Sequence, residues 1–267
     1  MPAKGFRRYI ELFKHIKNPF EYILHKNERF KRSLIFTTKP NKIQFPVALP
    51  LYQVFKEIFL EDVYNIEAVV KQMPQKPVII DIGANAGFFD VLILSKIKDA
   101  KIFAYEPIPR NTQQIKTVLD ANPSIKDHVI VHQVAVTGTP AGKIDLYIES
   151  ENDNSVIASI FSDFNSSNAN KISVDTITLT DILLKNDLTE VDIMKVDCEG
   201  SEYDIFYNTD PALIRRAKML LLEVHDLDED KNNITAMHKF LVDIGYDLKH
   251  YPINNFCHAV EAVLKKQ

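Results

Sequence analysis

Val78-Ile79-Ile80-Asp81-Ile82-Gly83-Ala84-Asn85-Ala86-Gly87-Phe88-Phe89 is an apolar run that breaks at an acid into two glycines, then resumes as far as Ile97. Its first five residues are short, mostly β-branched and without alternation, the pattern of a parallel strand buried on both faces. From Gly87 onward the stretch has helical character. Gly83 and Gly87 are two of only seven glycines in the chain. Between a strand and a helix, they let the backbone turn tightly and approach a ligand without a Cβ in the way. The spacing is not that of a dinucleotide loop, which needs G-x-G-x-x-G with the helix dipole aimed at a pyrophosphate. Here Asp81 stands in front of G-A-N-A-G, and a carboxylate there suits a cationic nucleoside cofactor. The ligand is expected where strand becomes helix.

Working outward, Lys101 to Tyr105 is a second short apolar strand that ends in Glu106-Pro107. An acid about twenty residues after the loop can accept two hydroxyl hydrogen bonds at once, the usual way such folds hold a ribose. Strands and helices then alternate. Strands are expected at 128–134, 191–196, 218–224, 246–250 and 258–264, and helices at 110–121, 179–186, 201–208 and 231–243. Two extra strands, 143–148 and 171–177, flank a polar, glycine-free stretch from Glu149 to Asn170 that can wall a substrate. Chemistry gathers at the carboxyl ends of such strands. There the sequence places Lys195-Val196-Asp197-Cys198-Glu199-Gly200-Ser201-Glu202 and Glu223-Val224-His225-Asp226.

The segments IIDIGANAGFF, IFAYEPIPRN and VDIMKVDCEGSEYDIF resemble the FkbM-type family of S-adenosylmethionine-dependent methyltransferases, whose motifs are D-x-G-A-N-x-G, E-P-x-P-x-N and K-x-D-x-E-G-x-E. The match spans about Tyr64 to Val263. The resemblance implies a Rossmann-like class I methyltransferase fold, a mostly parallel seven-stranded sheet with helices on both faces, and methyl transfer to oxygen, commonly on sugars or secondary metabolites. Carried over by position, Asp81, Gly83, Ala84, Asn85 and Gly87, with Phe88 beside them, match the loop at the methionine part of the cofactor. Glu106 matches the ribose acid, Pro107 borders the adenine, and Val134 and Ala135 belong to the small apolar run beside it. Asp197 matches a position touching the methionine amine or the acceptor. Two departures stand out: Gln133 replaces the family's usual Asn, and Leu179-Thr180 replaces its usual Leu-Asp.

Before this domain, expected from residue 71 to 267, lies a basic, helical N-terminal extension of residues 1 to 70. Residues 1 to 44 carry 11 Lys or Arg against three Glu, although the whole chain has a net charge of −4. Phe6, Ile10, Phe13, Ile16, Phe20 and Ile23 recur at helical spacing among these cations. The extension therefore reads either as a helix packed on the domain with a solvated basic face, or as a peripheral contact to anionic lipid or a partner. Tyr52 to Val70 is expected to be helical. No apolar run is long enough to span a membrane. The two cysteines, Cys198 and Cys257, lack metal-ligand spacing and suit a reducing cytoplasm. The acidic body and the absence of an aromatic-basic module argue against nucleic acid.

A hydroxyl acceptor must lose a proton during transfer, and Asp197, Glu199 and His225 are the candidate bases. Lys195 is expected to pair with an acid or to orient an anionic substrate. Asp197, Glu199, Glu202, Glu223 and His225 could also assemble ligands for a hard cation, although no metal is the preferred reading. The sequence thus points to O-methyl transfer onto a small molecule or a glycan hydroxyl. A nicotinamide oxidoreductase and a non-catalytic binding protein are the alternatives.

Overall fold

A computed structural model of the chain describes residues 3–148, 158–159 and 170–266. Of the polar stretch expected as a substrate wall, only Ala158, Ser159 and Asn170 fall among them, so that expectation lies largely outside the described residues. The chain opens with α1 (Arg7–His15) and α2 (Phe20–His25), then an antiparallel hairpin of β1 (Leu34–Thr37) and β2 (Gln44–Val47). The extension is therefore helical only in part. Tyr52 to Val70 is not one helix either. It comprises α3 (Tyr52–Lys56), a π turn at Glu57–Glu61 and α4 (Ile66–Val70), and Asp62 and Asn65 in left-handed conformation break it. Asp and Asn tolerate that region better than most residues.

The body alternates as expected: β3 (Val78–Ile82), α5 (Phe88–Lys96), β4 (Lys101–Tyr105), α6 (Pro109–Ala121), α7 (Pro123–Lys126) and β5 (Val129–His132). After them come β6 (Ala135–Thr137), β7 (Lys143–Ile148), β8 (Ala158–Ser159) and β9 (Asn170–Thr178). The chain ends with α8 (Leu179–Lys185), β10 (Val191–Val196), α9 (Glu202–Tyr207), α10 (Pro211–Ile214), β11 (Ala217–His225), α11 (Ile234–Asp243), β12 (Tyr246–Pro252) and β13 (Cys257–Leu264). Local chemistry sets several boundaries. Pro109, Pro123 and Pro211 occupy first helical turns, where a missing N–H costs nothing, and the Thr178, Asp210 and Asn233 side chains accept backbone N–H bonds as caps.

Seven strands form the main sheet in the order β12-β13-β11-β10-β3-β4-β5. Neighbours from β11 to β5 are parallel, whereas β13 runs antiparallel to both β11 and β12. The order reverses at β3, the first strand of this sheet in the sequence, so β3 and β10 form the switch point where ligands of open α/β sheets bind. Strands β6, β9, β7 and β8 make a second, four-stranded sheet. Its Leu146 and Val174 pack with Ala135 and Ile108 over the carboxyl end of β4.

The N-terminal extension is not a loose appendage. Phe55 stacks on Phe36 with ring centroids 4.3 Å apart, and Phe45 stacks on Phe59 at 5.1 Å and meets Phe88 of α5 at 5.5 Å. Leu12, Ile16, Phe36, Phe45, Phe55 and Phe59 share one buried cluster with Ile79, Leu92 and Ile193 of the body. Each such side chain contributes roughly 1.5–3 kcal/mol on burial. Asn122, at the end of α6, ties the hairpin down by accepting from the Gln44 N–H at 2.8 Å and donating to the Gln44 carbonyl at 2.7 Å. Among the described residues, no helix is long and apolar enough to cross a membrane.

Candidate active site

The loop after β3 is shaped by what lies against it. Gly83 has φ +75°, and a Cβ there would sit 1.7 Å from the Asp197 carbonyl oxygen at the end of β10. Only glycine lets the two strand ends approach so closely. The Gly83 and Ala84 N–H groups donate to the Tyr105 carbonyl at 3.0 and 3.1 Å, which fastens the loop to β4. Asn85 is left-handed at φ +49°, and its N–H points at Glu106 Oε2, 2.8 Å away. Gly87, also left-handed, begins α5 against Ile115.

Glu106 is thereby held from two sides. Its Oε1 accepts from the Ile108 N–H at 2.8 Å and the Asn111 amide at 3.4 Å. The carboxylate is 4% exposed. Burial pushes its pKa up to about 7, and the hydrogen bonds from Ile108, Asn85 and Asn111 only partly offset this. Glu106 lines a cavity of about 660 Å³ with Asn85, Pro107 and Asn111, and Ile108, Ala135, Val136 and Leu146 supply its apolar walls. Val134 packs in the core beside it. Gln133, the departure from the family pattern, accepts from the Thr112 hydroxyl at 3.2 Å.

A second cavity, of about 540 Å³, lies across the loop and is lined by Glu57, Tyr64, Ala84, Phe88, Lys195 and Glu223 among others. Gly83, Asn85, Asp197 and Glu199 line both cavities. One space is walled by apolar residues with a carboxylate at its end, the other by acids, and they meet at these four residues.

Beneath the loop, Asp81 is fully buried and lines neither cavity. Lys195 Nζ lies 3.1 Å from Asp81 Oδ1 and 3.5 Å from Asp197 Oδ2, and donates to the Gly83 carbonyl at 2.7 Å. Burial disfavours the ammonium, but the charges of Asp81 and Asp197 outweigh this and keep it protonated. Lys195 thus makes the expected acid pairs and also fixes the loop. Asp90, from the first turn of α5, is buried as well, and burial, then the Asp81 charge, raises its pKa well above the ordinary carboxylate range. Two carboxylates this close cannot both ionise.

On the far side, Tyr64 reaches from the loop before α4, its hydroxyl 3.1 Å from Asp197 Oδ2 and 2.8 Å from Glu223 Oε1. One phenol proton faces two carboxyl groups. Burial and the Asp197 charge push Glu223 up to about 8, so at neutral pH it retains a proton with which to close the second bond. Burial, then the Asp197 charge, raises Glu199 to about 8 as well, with the nearby His225 pulling the other way. Tyr64, Glu57 and Glu223 were not among the residues singled out as catalytic or cofactor-binding. The first two come from the extension, and no motif marks them.

His225, one of the three candidate bases, lies behind Glu199 and lines neither cavity. Its Nε2 is 3.4 Å from Glu199 and its Nδ1 is 3.3 Å from Glu202. Burial works against a charged ring, but hydrogen bonds to Cys257 and Glu202 outweigh it and hold the pKa well above its ordinary value. An imidazolium clamped in this way has no lone pair with which to accept a proton. The structure therefore sets His225 behind the junction, at which Asp197 and Glu199 lie. Glu202, first residue of α9, also accepts from the Cys198 and Gly200 N–H groups at 3.2 Å, which shapes the turn that carries Glu199. Glu223, His225 and Cys257 bring possible ligand atoms within 4.8 Å of one another. The Cys257 thiol donates to Glu223 at 3.7 Å, so hydrogen bonding accounts for that grouping.

A family model described as the methyltransferase FkbM domain matches residues 81–248. The methyltransferase sdnD of Sordaria araneosa is 26% identical over 73% of this chain and 82% of its own length. The AMB antimetabolite synthetase AmbE of Pseudomonas aeruginosa is 24% identical over 65% of this chain, a match that spans 9% of that much larger protein. The crystal structure of methyltransferase FkbM from Methylobacillus flagellatus covers 72% of this chain and 44% of that one, at 16% identity and a TM-score of 0.48. The matched domain fills most of the chain and contains the loop after β3, Glu106, and the ends of β10 and β11. The chain belongs to the FkbM family of methyltransferases, enzymes that take their methyl group from S-adenosylmethionine.

Proposed function

We propose that the enzyme transfers a methyl group to a hydroxyl oxygen, that of a sugar in a glycan or glycolipid. The observation that carries this reading is the junction of the two cavities at Gly83, Asn85, Asp197 and Glu199. The larger cavity has the chemistry of a nucleoside site. Glu106 is a buried carboxylate with room for two hydroxyl donors, and Pro107, Ile108, Ala135 and Val136 are apolar neighbours for a flat base. Gly83, free of a Cβ, lets backbone approach the amino-acid end, and Asp197 supplies negative charge there. When bound, S-adenosylmethionine supplies an electrophilic methyl carbon on a sulfonium.

The smaller cavity suits the acceptor. Its carboxyl groups, Glu57, Asp197, Glu199 and Glu223, offer several hydrogen-bonding oxygens to the hydroxyls of an acceptor. Glu199 is the residue placed to take the acceptor proton, because it lines both cavities and its pKa lies near 8. A base poised close to the operating pH transfers protons best. Tyr64 and Glu223 hold the acceptor side in register, and positioning of this kind supplies much of the rate of an in-line displacement. The deciding experiment incubates the enzyme with labelled cofactor and a panel of neutral sugars, aminosugars and uronic acids. Label in an alkali-stable ether of a neutral sugar supports the reading. Label confined to amines or carboxylates sinks it.

A further inference from the structure

One face of the N-terminal helices has no part in methyl transfer. On α1 the side chains of Leu12, His15 and Ile16 are buried against the body, but Phe6, Ile10 and Phe13, at i, i+4 and i+7, point the other way. Phe6 is 79% exposed, and Ile10 and Phe13 are each 45% exposed. The ridge continues onto α2. Phe13 meets Phe20 edge-on at 6.4 Å, and Phe20 and Leu24 are 66% and 77% exposed. These are five of the larger exposed apolar side chains among the described residues, gathered within 19 consecutive positions, and such a patch marks an interaction site.

Cations surround it. Lys4, Arg7, Lys14, Lys17 and Lys26 are exposed beside the ridge, and Arg29, Lys31 and Arg32 follow α2. Acids neutralise only some of the positive charge here: Arg8 pairs with Glu61, Lys14 with Glu11 and Arg32 with Glu21. A packed helix with a merely solvated basic face has no use for five exposed apolar residues. An aromatic and aliphatic ridge between rows of lysine and arginine is the pattern of a helix lying in the plane of an anionic bilayer surface. Such a surface offers negative headgroups to the cations and an acyl boundary to the rings.

We infer that α1 and α2 dock the enzyme on an anionic lipid surface, with Phe6, Ile10, Phe13, Phe20 and Leu24 entering the headgroup boundary. The inference stands on the extension alone and does not depend on which hydroxyl is methylated. It has a structural consequence for the site, because α1 packs on the Glu57–Glu61 turn, whose Glu57 and Ile58 wall the acceptor cavity. Docking therefore places a membrane one helix away from the element that forms that wall.

The chain has no tryptophan, so a single reporter is unambiguous. The full-length Phe13→Trp protein is mixed with phosphatidylcholine vesicles, with and without about 30% phosphatidylglycerol, and emission and flotation are followed. A blue shift and flotation with the anionic vesicles only, both falling as salt rises, are expected. In an otherwise unchanged chain, Phe6→Ser together with Leu24→Ser should weaken flotation roughly tenfold or more. Both positions are exposed, so an unchanged melting temperature checks that folding is intact. Unshifted emission, or flotation indifferent to the two serines, overturns the inference. So does self-association without lipid that the same serines abolish, for then a second copy covers the ridge.

Discussion

The Tyr64 hydroxyl lies 2.8 Å from Glu223 Oε1, joining the N-terminal extension to the end of β11 across 159 positions of sequence. A residue outside the family motifs thereby lines the second cavity. Tyr64→Phe removes the buried hydroxyl shared by Glu223 and Asp197, and should cost roughly 1–3 kcal/mol of stability by denaturant titration. S-adenosylhomocysteine affinity should change little while kcat falls. An equal loss of cofactor affinity would place the residue in the wrong cavity.

Glu106 predicts how cofactor binding follows pH. Its pKa near 7 in the folded protein lies above the 4.5 of an ordinary glutamate. The protonated form is thus favoured by folding, and this group's contribution to stability is lost as pH rises from about 4.5 to 7. Ribose hydroxyls favour the carboxylate, so binding below pH 7 must expel a proton. Affinity for S-adenosylhomocysteine, by calorimetry, should rise up to about tenfold per pH unit below 7 and level off above it. Glu106→Gln should bind more weakly and lose the slope.

Glu199 predicts the pH dependence of turnover. A carboxyl with a pKa near 8 must lose its proton before it can serve as a base, so kcat should rise with pH through about 8. Glu199→Gln should flatten that limb and lower kcat roughly 100-fold or more. The positive charge of His225 holds Glu199 down, so His225→Gln should move the limb to higher pH without abolishing it. A limb that disappears in His225→Gln would restore the ring as the base.

Gly83→Ala brings a methyl group to within 1.7 Å of the Asp197 carbonyl at a left-handed position. The substitution should lower the melting temperature by several degrees and abolish S-adenosylhomocysteine binding. Gly142, left-handed but with open space around it, is the control: there alanine should cost only about 1–2 kcal/mol and leave binding intact.

What could be seen in the sequence was local. The loop after β3, the acid at the end of β4 and the run from Lys195 to Glu202 are each contiguous, and residue type and spacing within ten positions define them. The seven-stranded body followed from the same alternation. The hairpin of β1 and β2 was missed because Ile35-Phe36 and Phe45 sit among Lys, Pro and Thr, with no clean period of two. Asp62 and Asn65 do carry a signal, since both tolerate left-handed backbone and could have stopped the helix expected through Val70. Tyr64 has none, because its partners Asp197 and Glu223 are more than 130 positions away, just past β10 and in β11. His225 looked like a base by residue type. Only Glu202 and Cys257, brought to the ring by the fold, raise its pKa far above that of an ordinary histidine.

The rings that run from Tyr22 through Tyr52, Phe55, Phe36, Phe45 and Phe59 to Phe88 bear on where this protein could be divided. The matched family domain begins at residue 81, yet cutting the chain there would strip Phe88 of Phe45 and Phe59 and remove one wall of the second cavity. The stretch of chain that builds this core is longer than the piece that carries the motifs. The first seventy residues share one buried core with the strands that name its family.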